Sequence, residues 1–527
     1  MKSLDATAGG PVDDKTAESA SARTPERASS PTEVILVVLI TSLAAALRFH
    51  SLAAKSFWFD EGVSVAIARL DWYNFVRILW RREANMSLYY LLLRFWLHFG
   101  GSEFFVRSLS VLFAFSSIPA IYVLGRRLFD SRVGLISAVL LAANAYHVQY
   151  SQDARSYSLM VLICLLSSRY FLKCISEPSR RNRLVYVVIS ALAVYAQFFS
   201  LLLVIAHWVS LKMLNQEEVP GQIRKGWRWI ALLSAPDFVF IATTGTGPLR
   251  WVQRPSLKDL WIFGLNLTGN GGPWLLLACV ALCLSALFPI LRARRLSRLP
   301  WDVWRYRFLL CWLFFPIALT LALSLVKPLF VPRYFIFCLP ALLLLVACGI
   351  ARLRPMLMAP ALLLVLLLSF SGTIGYYKKD VDIQRDDWRA ATRYLLNQAQ
   401  SGDALLFHVP MGRMSYEFYH SLEPTSVAPI VLYPHHGDQV TFLDFVEKPD
   451  EAQLESFLPQ HQRAWLVLTY AETQSGLPDA RSIELTKLLE KLYPTVEQHD
   501  FPGIEILLYS KAEKQVVTAL SPQAPAY

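Results

Sequence analysis

The sequence predicts a polytopic α-helical membrane protein that carries a soluble α/β domain at its C-terminal end. Of the 527 residues, 54% are hydrophobic and only 17% are charged, and the mean hydropathy is +0.38. This composition leaves too little polar surface for an ordinary soluble protein. Long apolar runs alternate with short basic loops from about residue 33 to residue 375, whereas the rest of the chain toward the C-terminus is acidic.

The apolar runs are assigned as membrane spans by their length, because a helix needs about 20 apolar residues to cross the hydrocarbon core. The run from Leu184 to Leu214 is too long for one crossing, so we divide it at Gln197. A shorter segment, 88–99, is rich in aromatic residues and contains Arg94, and we interpret it as an interfacial helix. The predicted spans, about eleven in all, are 33–53, 104–124, 133–150, 157–175, 184–197, 199–214, 228–245, 273–291, 307–326, 334–351 and 356–375.

The basic residues predict the orientation of these spans, because Lys and Arg gather in cytoplasmic loops. A cytoplasmic N-terminus places clusters inside at 126–132, 180–183, 224–228, 292–298 and 352–354. An odd number of spans then places the C-terminal region outside. Residues 1–32 are rich in Ala, Ser, Thr, Asp and Pro, and we expect them to form a disordered cytoplasmic tail.

The C-terminal region, 376–527, is predicted to be a small extracytoplasmic α/β domain. It contains 13 Lys and Arg against 21 Asp and Glu, a net charge of −8, which leaves +19 for the rest of the chain. Because the positive charge lies in short loops between spans, the high pI does not indicate nucleic-acid binding. Helical patterns (386–400, 451–458, 482–492) alternate there with strand patterns (404–409, 429–432, 464–469, 504–509).

Two adjacent carboxylates, Asp60 and Glu61, open the longest predicted outer loop, 54–103, directly after the aromatic residues 57–59. Aromatic rings settle at the level of lipid headgroups, so these acids would face a headgroup. A carboxylate in that position can act as a base or hold a divalent metal against phosphate. The alternative is an ordinary loop in which Asp60 caps a helix that begins at Gly62.

Further polar groups fall on the same predicted side of the membrane. Asp153, Arg155 and Tyr157 lie together at the outer end of the third span, and Arg333 and Tyr334 begin the tenth. Arginine suits the recognition of phosphate oxygens. The alternatives are that Asp153 pairs with Arg155 or caps a helix, and that Arg333 reaches out to lipid phosphate.

Glu83 and Asn85 precede the interfacial helix and face the same compartment. Taken together, acids and arginines on one side of the membrane are what a site for an anionic lipid headgroup requires. No group of His and carboxylate residues in the sequence demands a metal, although a divalent ion is compatible with the acids. The seven cysteines lie in or beside apolar runs, so no disulfide framework is implied.

At these motifs the chain resembles the GT-C integral-membrane glycosyltransferases, in particular the bacterial branch similar to protein O-mannosyltransferases and the lipid A aminoarabinose transferase. The matching motifs are WFDE at 58–61, LYYLLL at 88–93, QDARSY at 152–157 and PRY at 332–334. The resemblance covers most of 33–375, and the C-terminal region looks like the outer domain of many bacterial members. Many relatives have His-Pro-Pro before the LYYLLL motif, where this chain has residues 85–87, Asn-Met-Ser.

The resemblance implies an inverting transfer of sugar from a polyprenyl-phosphate donor to a lipid, glycan or protein acceptor, at the outer face of a bacterial inner membrane. It implies that Asp60 is the catalytic base or the carboxylate that orients substrate, with Asp153 as the second acid. The residues expected to bind substrate are Glu61, Glu83, Asn85, Tyr89, Arg155, Tyr157, Arg333 and Tyr334. The rival hypothesis is a transporter or flippase of lipid-linked sugars, although such proteins place polar groups near the bilayer midplane.

Overall fold

A computed structural model describes residues 29–213, 221–244, 252–288, 301–378, 386–423, 427–434, 440–445, 451–471 and 479–511. Residues 1–28, most of the tail that we expect to be disordered, lie outside this part of the chain. The first helix begins at Pro31, where Ser30 accepts a hydrogen bond from the backbone N–H of Glu33 and caps the helix. The described residues form a helical membrane part followed by a C-terminal α/β unit, as the sequence predicts.

The helices of the membrane part, in chain order, are numbered α1 to α17. They are α1 Pro31–Phe49, α2 Phe59–Arg69, α3 Trp72–Arg81, α4 Ser87–Trp96, α5 Glu103–Leu128, α6 Ser131–Ala143, α7 Ala145–Ser151, α8 Tyr157–Ser176, α9 Arg180–Ala196, α10 Leu201–Leu211, α11 Gly221–Leu233, α12 Ala235–Thr244, α13 Leu257–Thr268, α14 Gly272–Ala286, α15 Trp301–Ser324, α16 Leu339–Ala351 and α17 Pro355–Lys378.

Six helices in the described part of the chain are long and apolar enough to cross a membrane, and two bent helix pairs raise that number to eight. The bent pairs are α6 with α7, at 59°, and α13 with α14, at 75°. Three further spans expected from the sequence correspond to shorter helices, α9, α10 and the pair α11 and α12. The prediction of about eleven spans therefore depends on helices that are too short for a straight crossing of a ~30 Å hydrocarbon core.

The centre of the membrane part is the segment Pro332–Ala351, which begins as a 3₁₀ turn, Pro332–Cys338, and continues as α16. It is almost wholly enclosed by its neighbours, and α6 and α14 pack on it. Gly349 permits the close approach of α14, because a Cβ there would come within 2.6 Å of the carbonyl carbon of Leu282. The buried helix thereby fixes the position of Arg333 at its N-terminal end.

The loop between α1 and α5 folds into three helices, α2, α3 and α4, of which α2 carries the first acidic motif. The segment predicted as an interfacial helix forms α4, and it buries Tyr89, Tyr90 and Leu93. Helix α2 packs on α4 and on the C-terminal unit. The long loop is therefore an ordered layer between the membrane helices and the C-terminal unit.

The C-terminal unit contains a five-stranded mixed sheet in the order β2-β1-β3-β5-β4. Strands β1 and β3 are buried on both faces and pair in parallel, whereas β5 runs antiparallel to β3 and β4. The strands are β1 Ala404–His408, β2 Ile430–Tyr433, β3 Arg463–Leu468, β4 Thr495–Phe501 and β5 Ile504–Ser510, and the helices are α18 Trp388–Gln398, α19 Gly412–Leu422, α20 Glu451–Phe457 and α21 Ala480–Leu492.

Two elements of this unit were not predicted. Helix α19 lies between recognised strands, and β4 is an exposed edge strand whose polar residues give no apolar alternation. Helix α19 holds the unit against α2: Phe57 stacks on Phe418 at 4.4 Å, and the backbone N–H of Phe57 donates to the Tyr419 hydroxyl at 2.6 Å. The C-terminal unit therefore packs directly beside the WFDE motif.

Candidate functional site

Asp60 lies in the first turn of α2 and meets two arginines. The helix begins at Phe59, with Trp58 in the N-cap position, so the alternative in which Asp60 caps a helix starting at Gly62 is wrong. Its Oδ2 lies 3.5 Å from Nη2 of Arg155 and 3.7 Å from Nη2 of Arg333. The Asp60 side chain is 21% exposed, so it remains accessible between the two guanidinium groups.

Glu61, the neighbouring acid, is fully buried and holds the site together. Its carboxylate accepts two hydrogen bonds from Arg107, at 2.8 and 2.6 Å, and one from the backbone N–H of Ala154, at 2.8 Å. Arg107 also donates to backbone carbonyls of residues 52, 55 and 56. This bidentate pair ties α2 to α5 and to the turn that carries Arg155.

The turn 152–156, between α7 and α8, places both Asp153 and Arg155 in the protein interior. Asp153 is fully buried, and Ser156 rather than Asp153 occupies the N-cap position of α8. Gln152 anchors the turn by donating to the backbone carbonyls of Arg48 and His50, both at 2.8 Å. The turn therefore has a fixed backbone on which the Arg155 side chain is directed toward Asp60.

Tyr89 reaches Arg155 indirectly, through a serine. The Tyr89 hydroxyl and Ser110 Oγ lie 2.9 Å apart, and Ser110 donates to the backbone carbonyl of Arg155 at 3.1 Å. All three side chains are buried. Tyr89 therefore supports the arginine and does not line the opening beside Asp60.

Arg333 lies at the start of the 3₁₀ turn, and its guanidinium group faces the protein. Its Cζ atom stands 5.4 Å from the centre of the Trp58 ring and 5.8 Å from that of Tyr334. The Tyr146 hydroxyl donates to the carbonyl of Pro332 at 3.1 Å and fixes the turn. The side chain therefore pairs with Asp60, and the alternative that it reaches out to lipid phosphate does not describe its position in this structure.

Two tyrosines, Tyr157 and Tyr334, form a wall of the site beside Arg155 and Arg333. Tyr334 is 6% exposed and Tyr157 is fully buried. The ring of Tyr157 packs edge-on against Tyr150 at 4.8 Å, and its hydroxyl has no hydrogen-bond partner among the described residues. Both tyrosines lie close enough to Arg155 and Arg333 to interact electrostatically with these guanidinium groups. The wall thus offers an unused hydroxyl beside two cations.

Glu83 faces the same space, whereas Asn85 does not. Burial raises the pKa of the Glu83 carboxyl, Arg155 opposes the rise and the negative charge of Asp60 adds to it. The Tyr90 hydroxyl donates to Glu83 at 3.2 Å. Asn85 instead accepts a hydrogen bond from the backbone N–H of Phe198 at 3.2 Å and ties this segment to the next turn.

Sequence reasoning missed three residues of this region: Arg107, Asp386 and Tyr470. Arg107 could have been found, because a charged residue inside an apolar span has a specific partner by default. Asp386 and Tyr470 come from the C-terminal unit, and the charge of Asp60 acts on both. No pattern in the sequence distinguishes Asp386 from the many other acids of that region.

The described residues hold no group of three or more His, Cys, Asp or Glu side chains that could bind a metal ion. At Asp60 the neighbours within ion-pair distance are the two arginines, whose charge disfavours a second cation at this carboxylate. The donor set of the described site therefore fits an anion better than a metal.

Comparison with known proteins gives three kinds of result. The family model for dolichyl-phosphate-mannose-protein mannosyltransferase matches residues 86–242. ArnT from Cupriavidus metallidurans in the apo state has 12% identity and a TM-score of 0.57, over 90% of this chain and 98% of that one. No curated protein matches the sequence.

Two further structures are similar at 12% identity. ArnT from the same organism bound to undecaprenyl phosphate has a TM-score of 0.54, over 90% of this chain and 97% of that one. The Archaeoglobus fulgidus oligosaccharyltransferase, in complex with zinc and sulfate, has a TM-score of 0.50, over 82% of this chain and 67% of that one. The chain therefore shares its fold with these membrane transferases, and residues 86–242 match the family model.

The fold shared with ArnT includes both the membrane helices and the C-terminal unit, because the match spans 90% of this chain. The segment matched by the family model contains Asp153 and Arg155 but neither Asp60 nor Arg333. The meeting of these residues at one point is therefore an observation of the structure, independent of the family model.

Proposed function

We propose that the protein transfers a sugar from a polyprenyl-phosphate donor to an acceptor of the cell envelope, and that Asp60 is the catalytic carboxylate. The observation that carries this proposal is the position of Asp60 between Arg155 and Arg333 in a GT-C fold. One acid and two fixed guanidinium groups are the groups that such a transfer needs: a proton acceptor and a cradle for a phosphate.

Donor binding is assigned to Arg155 and Arg333. The planar guanidinium group matches two oxygens of a phosphate, and both side chains are already held close to Asp60. The unpartnered hydroxyl of Tyr157 lies beside them and can donate to a third oxygen, with Tyr334 on the same wall. That undecaprenyl phosphate binds to the related ArnT supports a polyprenyl phosphate as the ligand here.

In the reaction, the acceptor hydroxyl attacks the anomeric carbon on the face opposite the phosphate. A bond forms between that carbon and the acceptor oxygen while the bond to the phosphate oxygen breaks, so the configuration inverts. The acceptor proton passes to the Asp60 carboxylate, and the electron pair leaves with the polyprenyl phosphate, which becomes a dianion. Arg155 and Arg333 stabilise the added negative charge.

The remaining predicted residues take supporting roles in this proposal. Asp153 is the second acid, buried in the turn that carries Arg155, and Tyr89 supports that turn through Ser110. Glu83 faces the opening and can accept a substrate hydrogen bond. Glu61 and Asn85, which we expected to contact substrate, are proposed to position the site through their contacts with Arg107 and Phe198.

We place this site at the outer face of a bacterial inner membrane, with the C-terminal unit in the periplasm. The basic loops support this orientation because they lie on the other side of the predicted spans. The lipid, glycan or protein that accepts the sugar would then be a component of the cell envelope.

The decisive test is the variant Asp60→Asn, assayed for sugar transfer in proteoliposomes with a polyprenyl-phosphate donor fraction. Loss of the carboxylate proposed to accept the proton should lower the rate by about 10²–10⁴-fold. Asp71→Asn is the matched control, because Asp71 is an exposed helix cap whose role Asn can take. Full activity in Asp60→Asn would defeat the assignment, and donor movement across vesicles without glycosylated product would favour the flippase hypothesis.

A divalent cation is the one cofactor that the acids leave open. With two guanidinium groups at Asp60, we expect sugar transfer to continue in the presence of EDTA. Activity lost in EDTA and restored by Mg²⁺ or Mn²⁺ would instead assign a metal to the acids Asp60 and Glu83 in the donor complex. The measurement is the initial transfer rate before and after chelation.

A further inference from the structure

Two residues of the C-terminal unit, Asp386 and Tyr470, form a wall beside Asp60. Asp386 lies just before α18, is only 4% exposed and packs against the turn at Gly503, with φ +71°. Its Oδ2 has no hydrogen-bond partner among the described residues. A buried oxygen of this kind is costly unless a ligand or water supplies a donor.

Tyr470 lies at the end of β3 on the same wall. Its ring meets that of Phe59, the residue before Asp60, edge to face at 5.7 Å, yet 53% of the residue is exposed. An exposed aromatic face beside a polar group is the usual lining of a small-molecule site. Tyr470 thus presents a flat apolar surface next to the carboxylate of Asp386.

Asp386 and Tyr470 both interact electrostatically with the carboxylate of Asp60. Burial raises the pKa of Asp386 to about 6; the Trp388 side chain and the backbone of Phe59 oppose the rise, and the negative charge of Asp60 adds to it. Burial also raises the pKa of Tyr470; Asp386 and Asp60 contribute to the rise, and Arg333 opposes it. Asp60 therefore interacts with Arg155 and Arg333 and lies close to Asp386 and Tyr470.

We infer that Asp386 and Tyr470 form the acceptor subsite, and that it takes an uncharged sugar unit of a glycan. This inference rests on the proposed function, which assigns Arg155 and Arg333 to the donor phosphate and leaves Asp386 and Tyr470 for the acceptor. A sugar hydroxyl satisfies Asp386 Oδ2, and the ring face of the sugar covers Tyr470. An anionic acceptor group is disfavoured, because two carboxylates, Asp60 and Asp386, face the subsite.

The test uses the full-length protein in proteoliposomes, with a labelled polyprenyl-phosphate sugar extract as donor. The acceptor is delipidated envelope glycan from a strain that lacks the protein, and separate reactions contain the envelope protein and lipid fractions. Binding of undecaprenyl phosphate, which has no sugar, is measured in parallel. The variants are Asp386→Ala, Asp386→Asn and Tyr470→Ala, with Asp500→Asn, on the exposed strand β4, as the control.

The expected result is a KM for the glycan raised about tenfold in Asp386→Ala and Tyr470→Ala, with the donor KM and the affinity for undecaprenyl phosphate unchanged. The control should stay within about twofold of wild type. If a thermal melt shows that Asp386→Ala unfolds, the KM for the glycan is measured instead with Asp386→Asn, which is isosteric with the native residue.

Three results would overturn the subsite. These are an unchanged glycan KM in folded variants, a change in the donor KM instead, and label entering the protein or lipid fraction but not the glycan. A wild-type protein that binds undecaprenyl phosphate yet labels no fraction would defeat the proposed function itself, and the subsite with it.

Discussion

At the scale of single residues, two adjacent acids have been given different environments. Asp60 is partly exposed between two cations, each more than 3 Å from its carboxylate, whereas Glu61 is enclosed and accepts short hydrogen bonds from Arg107. The first arrangement leaves the Asp60 carboxylate partly accessible between its two partners. In the second arrangement, both oxygens of Glu61 accept structural hydrogen bonds from Arg107.

The buried pair leads to a prediction about stability. Arg107→Met leaves the Glu61 carboxylate buried without its partner, and the free energy of unfolding should fall by about 3–5 kcal/mol. Thermal unfolding of the purified protein in detergent measures this loss. Arg393→Met is the control: its ion pair with Glu423 is exposed, and its removal should change stability by at most about 1 kcal/mol. An unaltered melting temperature in Arg107→Met would contradict the structural role given to Glu61.

At the scale of elements, the site is assembled where helix α2 meets helix α19. Gly62, one turn into α2, lies against Ser415, and a Cβ at this position would come within 2.8 Å of the Ser415 Cα atom. Phe57 and Phe418 stack beside this contact. The close packing of the two helices holds Asp386 and Tyr470 beside Asp60. An added methyl group at Gly62 should therefore move these two residues away from Asp60.

We therefore expect Gly62→Ala to loosen the C-terminal unit, at a cost of about 1–3 kcal/mol. Limited proteolysis should cut between α17 and α18 faster than in wild type, and sugar transfer should fall. Gly375→Ala in α17 is the matched control, because open space surrounds its Cβ position. Equal proteolysis of the Gly62 and Gly375 variants would show that the contact does not hold the unit.

At the scale of the whole molecule, the orientation in the membrane decides which compartment supplies the substrates. We predict that a cysteine introduced at exposed Tyr73, in α3, is labelled by an impermeant maleimide in intact spheroplasts, whereas one at Arg181 is labelled only after lysis. The native cysteines are buried or half-buried and give a low background. Labelling of the Arg181 variant in intact spheroplasts would reverse the proposed topology.

Several features could be predicted from the sequence because they depend on local patterns. Hydropathy and loop charge indicate the membrane class, and the alternation of helical and strand patterns indicates the C-terminal α/β unit. Helix α19 and strand β4 escaped this reasoning, since the first is amphipathic within a mixed region and the second is a polar edge. The motifs containing Asp60, Arg155 and Arg333 were recognisable because each lies at the boundary of an apolar run.

The sequence alone thus determined the class of protein and the candidate motifs, since membrane insertion and short motifs are properties of contiguous residues. Only the tertiary structure decided which partner each acid contacts. Asp60 meets Arg333, and Glu61 meets Arg107, through contacts between segments far apart in the chain. The same holds for Asp386, which is one acid among many until the docking of α19 on α2 brings it beside Asp60. Such contacts depend on how whole helices pack, which no local pattern records.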